Sequence, residues 1–414
     1  MPASPEAASE ELLAKATCLL FVNGQSSESL GVTIRRFGKG LGVEVDVLLR
    51  WGEVILFVNG RPIPRILPAK PTGVDMGRVT ATLRIVDDLC EGRISRAEAE
   101  TALRAVENLP PVNIGRFALL AALGAAALGV IFGASDLPTL ATIAFSAGTG
   151  ALVRRAVSHL SQNPLIQPFS AAFIAGVVGL LTFRFNFDVD SRLALVCPCM
   201  VLVPGPHVLN GTIDLARSRV TIGSARLIFA SLIILMISAG LLLALTMAHI
   251  ELPTTTGVVS VPLVHDALAA GMAVAAYGTF FNMPWRMLPI PVVVGMVAHS
   301  VHWMLMAQDF GAPASSFAAC LIVGLCITPA AARLRYPFAA LAFASVVSMV
   351  PGVFLFDGAA ALVELNAIGP DAPPALLVGA FASLTSALLI TIAMTVGLIV
   401  PKMIFGSPGR QRSS

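Results

Sequence analysis

The sequence repeats the stretch VPGPHVLNG (203–211) after 147 residues as VPGVFLFDG (350–358). Both copies lie inside long apolar segments. Proline removes a backbone donor and clashes with the preceding helical turn, and glycine lets the chain leave helical geometry. Inside a membrane, such broken backbone is tolerated only against protein or a water-filled cavity. The two stretches therefore predict two interrupted membrane helices at corresponding places in the chain.

Composition divides the chain into two chemically different parts. Of its 414 residues 56% are hydrophobic and only 12% are charged, against roughly 25% charged in a soluble chain. Residues 1–116 nevertheless hold 14 Lys/Arg and 14 Asp/Glu, whereas the 298 residues that follow hold 13 and 10. The division near Pro110-Pro111 predicts a water-soluble part followed by a membrane part. The net charge of +3 is too small to indicate nucleic-acid binding.

Ten apolar segments approach the roughly 20 residues that a membrane span requires. They cover residues 117–133, 137–156, 165–187, 191–210, 222–248, 260–281, 287–307, 314–333, 337–362 and 374–400. Residues 1–16 have no basic start followed by an apolar run, so we expect insertion into the cell inner (plasma) membrane through these later spans.

Loop charges predict the orientation of the spans, because cytoplasmic loops carry an excess of Lys and Arg. With the N-terminus inside, eleven cations fall on the inner side and two on the outer side. The inner set is Arg154, Arg155, Arg217, Arg219, Arg226, Arg286, Arg333, Arg335, Lys402, Arg410 and Arg412, and the outer set is Arg184 and Arg192. The outer loops carry instead the acids Asp136, Asp188, Asp190, Glu251, Asp309, Glu364 and Asp371. Both termini are therefore predicted to be cytoplasmic.

The 147-residue offset also maps the first five spans onto the last five. Because five is odd, the two halves must enter the membrane from opposite sides, as in the inverted repeats of secondary transporters. The predicted fold is an α-helical polytopic membrane protein with ten transmembrane helices and a small N-terminal α+β cytoplasmic domain. Its predicted parts are residues 1–112, the repeats 113–256 and 257–402, and a cytoplasmic tail 403–414.

The N-terminal part has the periodicities of a small α+β domain. Helical patterns cover residues 26–41, 75–91 and 95–109, and alternating patterns predict strands at 43–49, at 54–58 and up to about residue 67. Residues 1–116 contain no His, no phosphate-binding glycine loop and no Cys/His cluster. No enzyme site is indicated there, and the domain's role stays open between regulation, assembly and gating.

The candidate pathway residues lie at and after the two predicted breaks. The break residues are Pro204, Gly205, Pro351 and Gly352, for which the alternative interpretation is a pair of ordinary proline kinks. In the fourth span Asn210 could supply hydrogen bonds to a substrate. In the ninth, Asp357 is a candidate proton or substrate-amine site, because an acid at a membrane helix centre costs roughly 2.5–3.5 kcal/mol.

Asp214 follows Asn210 by one helical turn and could face the same cavity as Asp357. The alternative is an exposed carboxylate at a helix end, paired with Arg217 or Arg226. We weigh these two interpretations equally.

The histidines and cysteines predict no metal or other cofactor. His299 and His302 have a metal-like spacing, three apart on one helix face, but no acidic or Cys partner is expected beside the pair, and structural hydrogen bonding is the simpler interpretation. His207 and the His265-Asp266 pair are further candidates for proton relay. Cys197 and Cys199 read as buried apolar residues without a second ligand pair.

These motifs resemble the threonine/serine exporter (ThrE) family. The similarity covers about residues 17–400 and is most specific at Val203-Pro204-Gly205, Asn210, Asp214-Leu215, Gly223 and Ala225-Arg226-Leu227, with further matches at Phe281-Asn282, Pro284, Arg286, Val350-Pro351-Gly352, Leu41-Gly42, Gly92 and Ser95. Gly211 and Asp357 depart from the family pattern, in which Ala and a different residue are expected.

The resemblance implies efflux of threonine and serine driven by the proton motive force, with Arg226 carried over as part of the motif. The expected partners are an amino acid, protons and the lipid bilayer, with a homo-oligomer left open. A small dicarboxylate such as succinate is the alternative substrate, since relatives split into two chains are associated with dicarboxylate export. No Lys or Arg lies mid-span, which favours a zwitterion. A membrane enzyme would need a clustered nucleophile, acid or metal site, and none is visible.

Overall fold

A computed structural model describes residues 5–60, 62–185, 189–247, 261–334 and 336–405. The N-terminal region, residues 5–109, packs four helices on a three-stranded sheet. Its elements are α1 (Pro5–Val22), α2 (Ser27–Gly40), β1 (Val45–Arg50), β2 (Gly52–Val58), β3 (Arg65–Ala69), α3 (Met76–Cys90) and α4 (Arg96–Glu107). The sheet is antiparallel with β2 in the centre, and Leu56 pairs with Val47 on one side and Arg65 on the other.

Local chemistry sets the ends of these helices. Ser95 and Glu98 form a reciprocal capping box at the start of α4, and the Asp75 carboxylate accepts from the Arg78 amide at the start of α3. Helix α1 had no sequence prediction. It lacks a one-sided apolar stripe because it is buried on several faces, with Leu13, Leu20 and other side chains inaccessible.

Twelve further α-helices follow in the described part of the chain. They are α5 (Ile114–Ile131), α6 (Leu137–Leu160), α7 (Ile166–Arg184), α8 (Ser191–Met200), α9 (Gly205–Ala216), α10 (Val220–Met247), α11 (Leu263–Phe280), α12 (Pro289–Met306), α13 (Ala312–Leu334), α14 (Phe338–Val346), α15 (Gly352–Ile368) and α16 (Pro374–Phe405). A 3-10 turn, Val347–Met349, ends α14.

Six of these helices are long and apolar enough to cross a membrane, or up to eight segments if each bent pair counts as one span. The protein is therefore a multi-pass membrane protein. Helices α6 and α7 occupy the second and third predicted spans but are not among these six, α7 because its apolar part, Ile166–Thr182, is shorter, so the count of ten remains a prediction. Asp188, Glu251, Arg335, Arg410 and Arg412, and the predicted boundary at residue 257, lie outside the described residues.

Helix packing follows a matched pattern in the two halves of the bundle. Helix α7 packs on α10 as α13 packs on α16; α5 and α6 pair as α11 and α12 do; and α9 packs on α10 as α15 packs on α16. Helices α5 and α11, the first of each half, contact each other. This correspondence supports the repeat suggested by the sequence, whose inverted orientation stays a prediction.

The N-terminal region and the bundle have interlocking cores. Ile222 at the start of α10 belongs to the core of the N-terminal region, and Met76 at the start of α3 packs into the core of the bundle. Asn282, in the left-handed region with φ 55°, donates to the Asp75 carboxylate at 2.7 Å and accepts from the Val112 amide at 3.1 Å. These contacts fix the N-terminal region over one end of the bundle.

Candidate functional site

The two predicted breaks have nearly the same backbone geometry. Pro204 has φ −80° and ψ 54°, and Pro351 has φ −75° and ψ 49°. In each case the following glycine amide bonds to the carbonyl before the proline, at 2.8 Å for Gly205 and 2.7 Å for Gly352. These are inverse γ-turns. They bend α8 against α9 by 58° and α14 against α15 by 59°. We call Pro204-Gly205 the first break and Pro351-Gly352 the second break.

The breaks lie close together because each glycine packs on the other broken helix. A Cβ atom at Gly205 would lie 2.6 Å from the ring of Phe343 on α14. A Cβ atom at Gly352 would lie 3.4 Å from Met200 at the end of α8. The two Pro-Gly motifs thus mark two helix interruptions that meet inside the bundle. At Gly205 the contact with Phe343 is too close for a side chain unless the ring shifts.

Aromatic side chains fill the space beside the breaks. Phe281 meets Phe343 edge to face at 5.4 Å between ring centroids, and Phe280 meets Phe281 in the same way at 5.3 Å. The Tyr277 hydroxyl donates to the Met200 carbonyl at 2.6 Å. That carbonyl cannot bond in the usual helical way, since residue 204 is proline. We call Tyr277, Phe280, Phe281 and Phe343 the aromatic block.

One cavity, of about 340 Å³, reaches the first break from the side of the N-terminal region. Its lining includes Pro204, His207 and Arg154 together with residues 72–74 of the N-terminal region. No carboxylate among the described residues forms an ion pair with Arg154; its guanidinium lies over the Phe280 ring at 4.2 Å. Pro206 has no N–H to donate to the Leu202 carbonyl. This first-break cavity therefore offers a cation and a carbonyl that lacks its helical donor.

A second cavity, of about 410 Å³, reaches the second break from the opposite end of the bundle. Its lining includes Pro351, Asp266, His299, His302 and Ser348. The sequence-based statement that the histidine pair has no acidic partner is wrong, because the Asp266 Oδ2 lies 3.1 Å from the His299 Nε2. The partner comes from α11, the helix that precedes α12, and only the packing of those helices brings it close.

Asn210, Asp214 and Arg226 form a buried cluster against the N-terminal region. The Asp214 Oδ2 accepts from the Arg226 guanidinium at 2.9 Å and from the Ser27 hydroxyl at 2.8 Å. Arg226 also donates to the Gln25 carbonyl at 3.4 Å, and both side chains of the ion pair are 2% exposed. We call Gln25, Ser27, Asp214 and Arg226 the docking cluster.

The surroundings of Asp214 match the ion-pair interpretation, but in a buried position and not at an exposed helix end. Arg219 adds a second cation at 3.6 Å from Oδ1. The neighbouring Asn210 donates to the Gly24 carbonyl at 3.3 Å. The N-terminal region thus covers Asn210 and Asp214, the two polar residues of the fourth span that the sequence analysis named as pathway candidates.

Glu28 joins the N-terminal region to both halves of the bundle. Its carboxylate accepts from Lys402 on α16 at 2.9 Å and forms a close ion pair with Arg217 at the end of α9. Burial acts to raise the pKa of Glu28, but the hydrogen bond and charge of Lys402, with the charges of Arg217 and Arg219, outweigh it, so the pKa is lowered.

Asp357 lies in different surroundings from Asp214. It forms an ion pair with Arg192 of α8 at 3.1 Å and lines a third cavity of about 310 Å³ that also contains Ser238 and Glu364. The two carboxylates therefore do not line a common cavity among the described residues. Sequence reasoning assigned Arg192 only to an outer loop and missed this pairing.

No group of three His, Cys, Asp or Glu side chains within the described ranges is arranged to hold a metal ion. The groups near the breaks are suited to binding a small ligand. They are backbone carbonyls without helical donors, single charged side chains and aromatic rings. Paired broken helices in a multi-pass bundle are a recurring architecture of membrane transporters.

The chain belongs to the ThrE family of threonine/serine exporters. One family profile, described as "Putative threonine/serine exporter", matches residues 11–248, and a second, described as "Threonine/Serine exporter, ThrE", matches residues 266–404. Members of this family are transporters. This confirms the resemblance seen in the sequence.

A curated relative is the "Probable succinate transporter subunit YjjP" of Klebsiella aerogenes. It is 31% identical over 109 residues, which is 26% of this chain and 42% of the relative. The match thus spans less than half of the relative's length. No solved structure matches the chain significantly.

Proposed function

We propose that this protein is a secondary transporter that exports threonine and serine from the cytoplasm in exchange for protons. In this proposal ten spans form two inverted repeats in the inner membrane, both termini are cytoplasmic, and residues 1–112 form a cytoplasmic domain. The observation that carries the proposal is the pair of matched breaks, each reached by its own cavity from opposite ends of the bundle. Alternating access needs such an arrangement around one central site.

The aromatic block is the barrier between the two sides. Phe343 packs on Gly205 of the first break, and Phe281 packs on Phe343. The Phe343 ring packs directly against Gly205 with no free space between them. Movement of either broken helix therefore changes this contact. Transport then requires the Phe343 ring to move away from the first break. Substrate can then pass from the first-break cavity to the cavity at the second break.

The first-break cavity has groups for both charges of an amino acid. Arg154 binds the substrate carboxylate, for which it has no competing ion pair in the described structure. The Leu202 carbonyl, left without a helical donor by Pro206, accepts from the substrate ammonium group. The short side chain of threonine or serine fits the remaining space next to His207, whose ring can bond the hydroxyl.

The docking cluster closes the same face of the protein. Asp214 and Arg226 are fully engaged with each other and with the N-terminal region in this structure. When the N-terminal region moves away, both charges and Asn210 become accessible to the pathway. We therefore assign the N-terminal region the role of a cytoplasmic gate, with Asp214 contributing to transport only in the open form. Asp357 and Arg192 are proposed to lie on the exit side.

The deciding experiment measures threonine efflux from cells preloaded with a threonine-containing dipeptide, with and without a protonophore. Cells that contain the protein should lose threonine faster, and the protonophore should remove the difference. Arg154→Gln should slow efflux strongly, whereas Arg333→Gln, which changes an exposed cation at the end of α13, should not. Unchanged efflux from cells with confirmed membrane insertion contradicts the proposal.

A small dicarboxylate is the second candidate substrate. Arg154, which has no acidic partner among the described residues, suits any carboxylate, and the named relative is described as a "Probable succinate transporter subunit". Succinate in the cytoplasm should then compete with threonine for efflux. Competition by succinate together with poor threonine transport would favour the dicarboxylate. The absence of an unpaired second cation among the described residues that line the first-break cavity favours the amino acid.

A further inference from the structure

The second cavity, which we call the second-break cavity, contains a titratable cluster that has no role in substrate binding in the proposed function. Asp266 comes from α11, His299 and His302 from α12, and Ser348 from the 3-10 turn before the second break. Asp266, His299 and Ser348 are 3%, 4% and 6% exposed. Ionisable groups buried at membrane depth are costly and are usually functional.

Asp266 carries an unsatisfied acceptor. Its Oδ2 is buried and accepts no hydrogen bond among the described residues, although the His299 Nε2 lies 3.1 Å away, because that N–H does not point at the oxygen. An ionised carboxylate without full pairing costs several kcal/mol in an apolar interior. The Asp266 Oδ2 therefore lacks the hydrogen bonds that a buried carboxylate oxygen normally has.

His299 connects the carboxylate to the second break. Its Nδ1 lies 3.1 Å from the Ser348 hydroxyl, and Ser348 precedes Pro351 by three residues. When neutral His299 carries its proton on Nε2, Nδ1 is the acceptor and Ser348 donates. When both ring nitrogens carry protons, Nδ1 becomes a donor and the Ser348 hydroxyl must turn to accept.

Few other charges influence this pair. His302, on the same helix, has its ring centroid 5.8 Å from that of His299, and its buried Nδ1 has no hydrogen-bond partner within the described ranges. Helix α13 contributes only Ser316 as a polar lining group, and α16 contributes Ile390. Among the described lining residues there is no Lys, Arg or Glu, so the charge of the cavity depends on Asp266 and the two histidines.

We propose that Asp266 and His299 form the proton-binding site of this transporter. A proton from cavity water adds to the pair, whose net charge changes from −1 to zero, and the same proton returns to water on release. When the added proton lies on His299, it reverses the Ser348 hydrogen bond next to the second break and so alters the stability of the bend between α14 and α15. This inference rests on the proposed function, because it assigns a site to the proposed proton exchange.

The test uses the full-length protein reconstituted in lipid vesicles, with Asp266→Asn and His299→Gln as variants. His265→Gln is the matched control, because this neighbouring histidine is exposed and lies outside the cavity lining. Two activities are compared: threonine exchange at equal pH on both sides, and threonine accumulation driven by a pH gradient. Exchange reports substrate binding and movement of the helices, whereas accumulation also needs proton coupling.

A gradient of about one pH unit can drive about a tenfold threonine ratio if one proton moves per substrate. The wild type and His265→Gln should approach this ratio. Asp266→Asn and His299→Gln should keep exchange but fall to a ratio of about one. Variants that still accumulate threonine, or that lose exchange and accumulation together, overturn the assignment.

Infrared difference spectra between acid and neutral pH test the proton-binding site independently of the proposed threonine transport. If the wild type transports no threonine, the proposed substrate fails, but the proton site is still tested. A carboxyl or carboxylate band that changes with pH in the wild type and in His265→Gln and is missing in Asp266→Asn supports the site. Identical spectra for the wild type and Asp266→Asn overturn it.

Discussion

We predict that breaking the buried ion pair of the docking cluster weakens the docking of the N-terminal region on the bundle. Asp214 and Arg226 lie 2.9 Å apart with side chains 2% exposed, and Ser27 and Gln25 complete their hydrogen bonds. Asp214→Leu leaves the guanidinium buried without its partner, which typically costs about 3–5 kcal/mol. Because undocking of the N-terminal region lets water reach that charge, the penalty falls on the docking equilibrium.

The expected result is a shift of that equilibrium toward the undocked form by a factor of about a hundred to a few thousand. Arg226→Met should also weaken docking but by less, since Arg219 still lies 3.6 Å from the Asp214 Oδ1. The double variant removes both charges and should dock better than either single variant. Docking in the double variant should remain weaker than in the wild type, because Ser27 and Gln25 lose their hydrogen-bond partners, at a cost of about 1–3 kcal/mol.

Trp51 provides the assay, because its ring lies 5.0 Å from that of Phe229 on α10. Its fluorescence should change when urea separates the N-terminal region from the bundle in detergent micelles. The reasoning is refuted if the effects of Asp214→Leu and Arg226→Met simply add in the double variant, or if each single effect is below about 1 kcal/mol, the size of a solvated ion pair.

Three further predictions concern the breaks and the docking surface. Gly205→Ala should abolish transport without preventing insertion, and Phe343→Leu should partly restore it, because the added Cβ atom would lie 2.6 Å from that ring; efflux assays check both. Glu28→Gln should weaken docking by roughly 1 kcal/mol at neutral pH, and urea titrations across pH should show the difference fading in acid. Asn282→Ala should lower stability by about 2–3 kcal/mol in thermal or urea unfolding, since it removes a hydrogen bond to the Asp75 carboxylate.

The sign of the pH effect follows from the lowered pKa of Glu28. Its contribution is complete above the unfolded pKa, near 4.5, and is lost as the pH falls through the lower folded value. A difference that instead grows in acid contradicts the ion pairs with Arg217 and Lys402. For the glycine test, Gly379→Ala is the control, because nothing lies within 4 Å of an added Cβ atom there.

The sequence by itself determined the class of structure and the position of the breaks. Low charge and long apolar runs require a membrane, because buried charges are too costly to be frequent there. Proline and glycine act on their own backbone, so the two breaks at Pro204 and Pro351 could be predicted from local chemistry alone. Most elements of the N-terminal region followed from periodicity for the same reason, except α1, whose burial on several faces hides the pattern.

Only the tertiary structure decided which side chains act together. Asp266 and His299 are 33 residues apart, and Ser27 and Asp214 are separated by 187. Their contacts depend on how helices pack and on where the N-terminal region docks, and no local periodicity encodes either. For this reason the sequence could name Asp214 and Asp357 as candidates, but it could not tell that one is covered by Ser27 and the other is paired with Arg192.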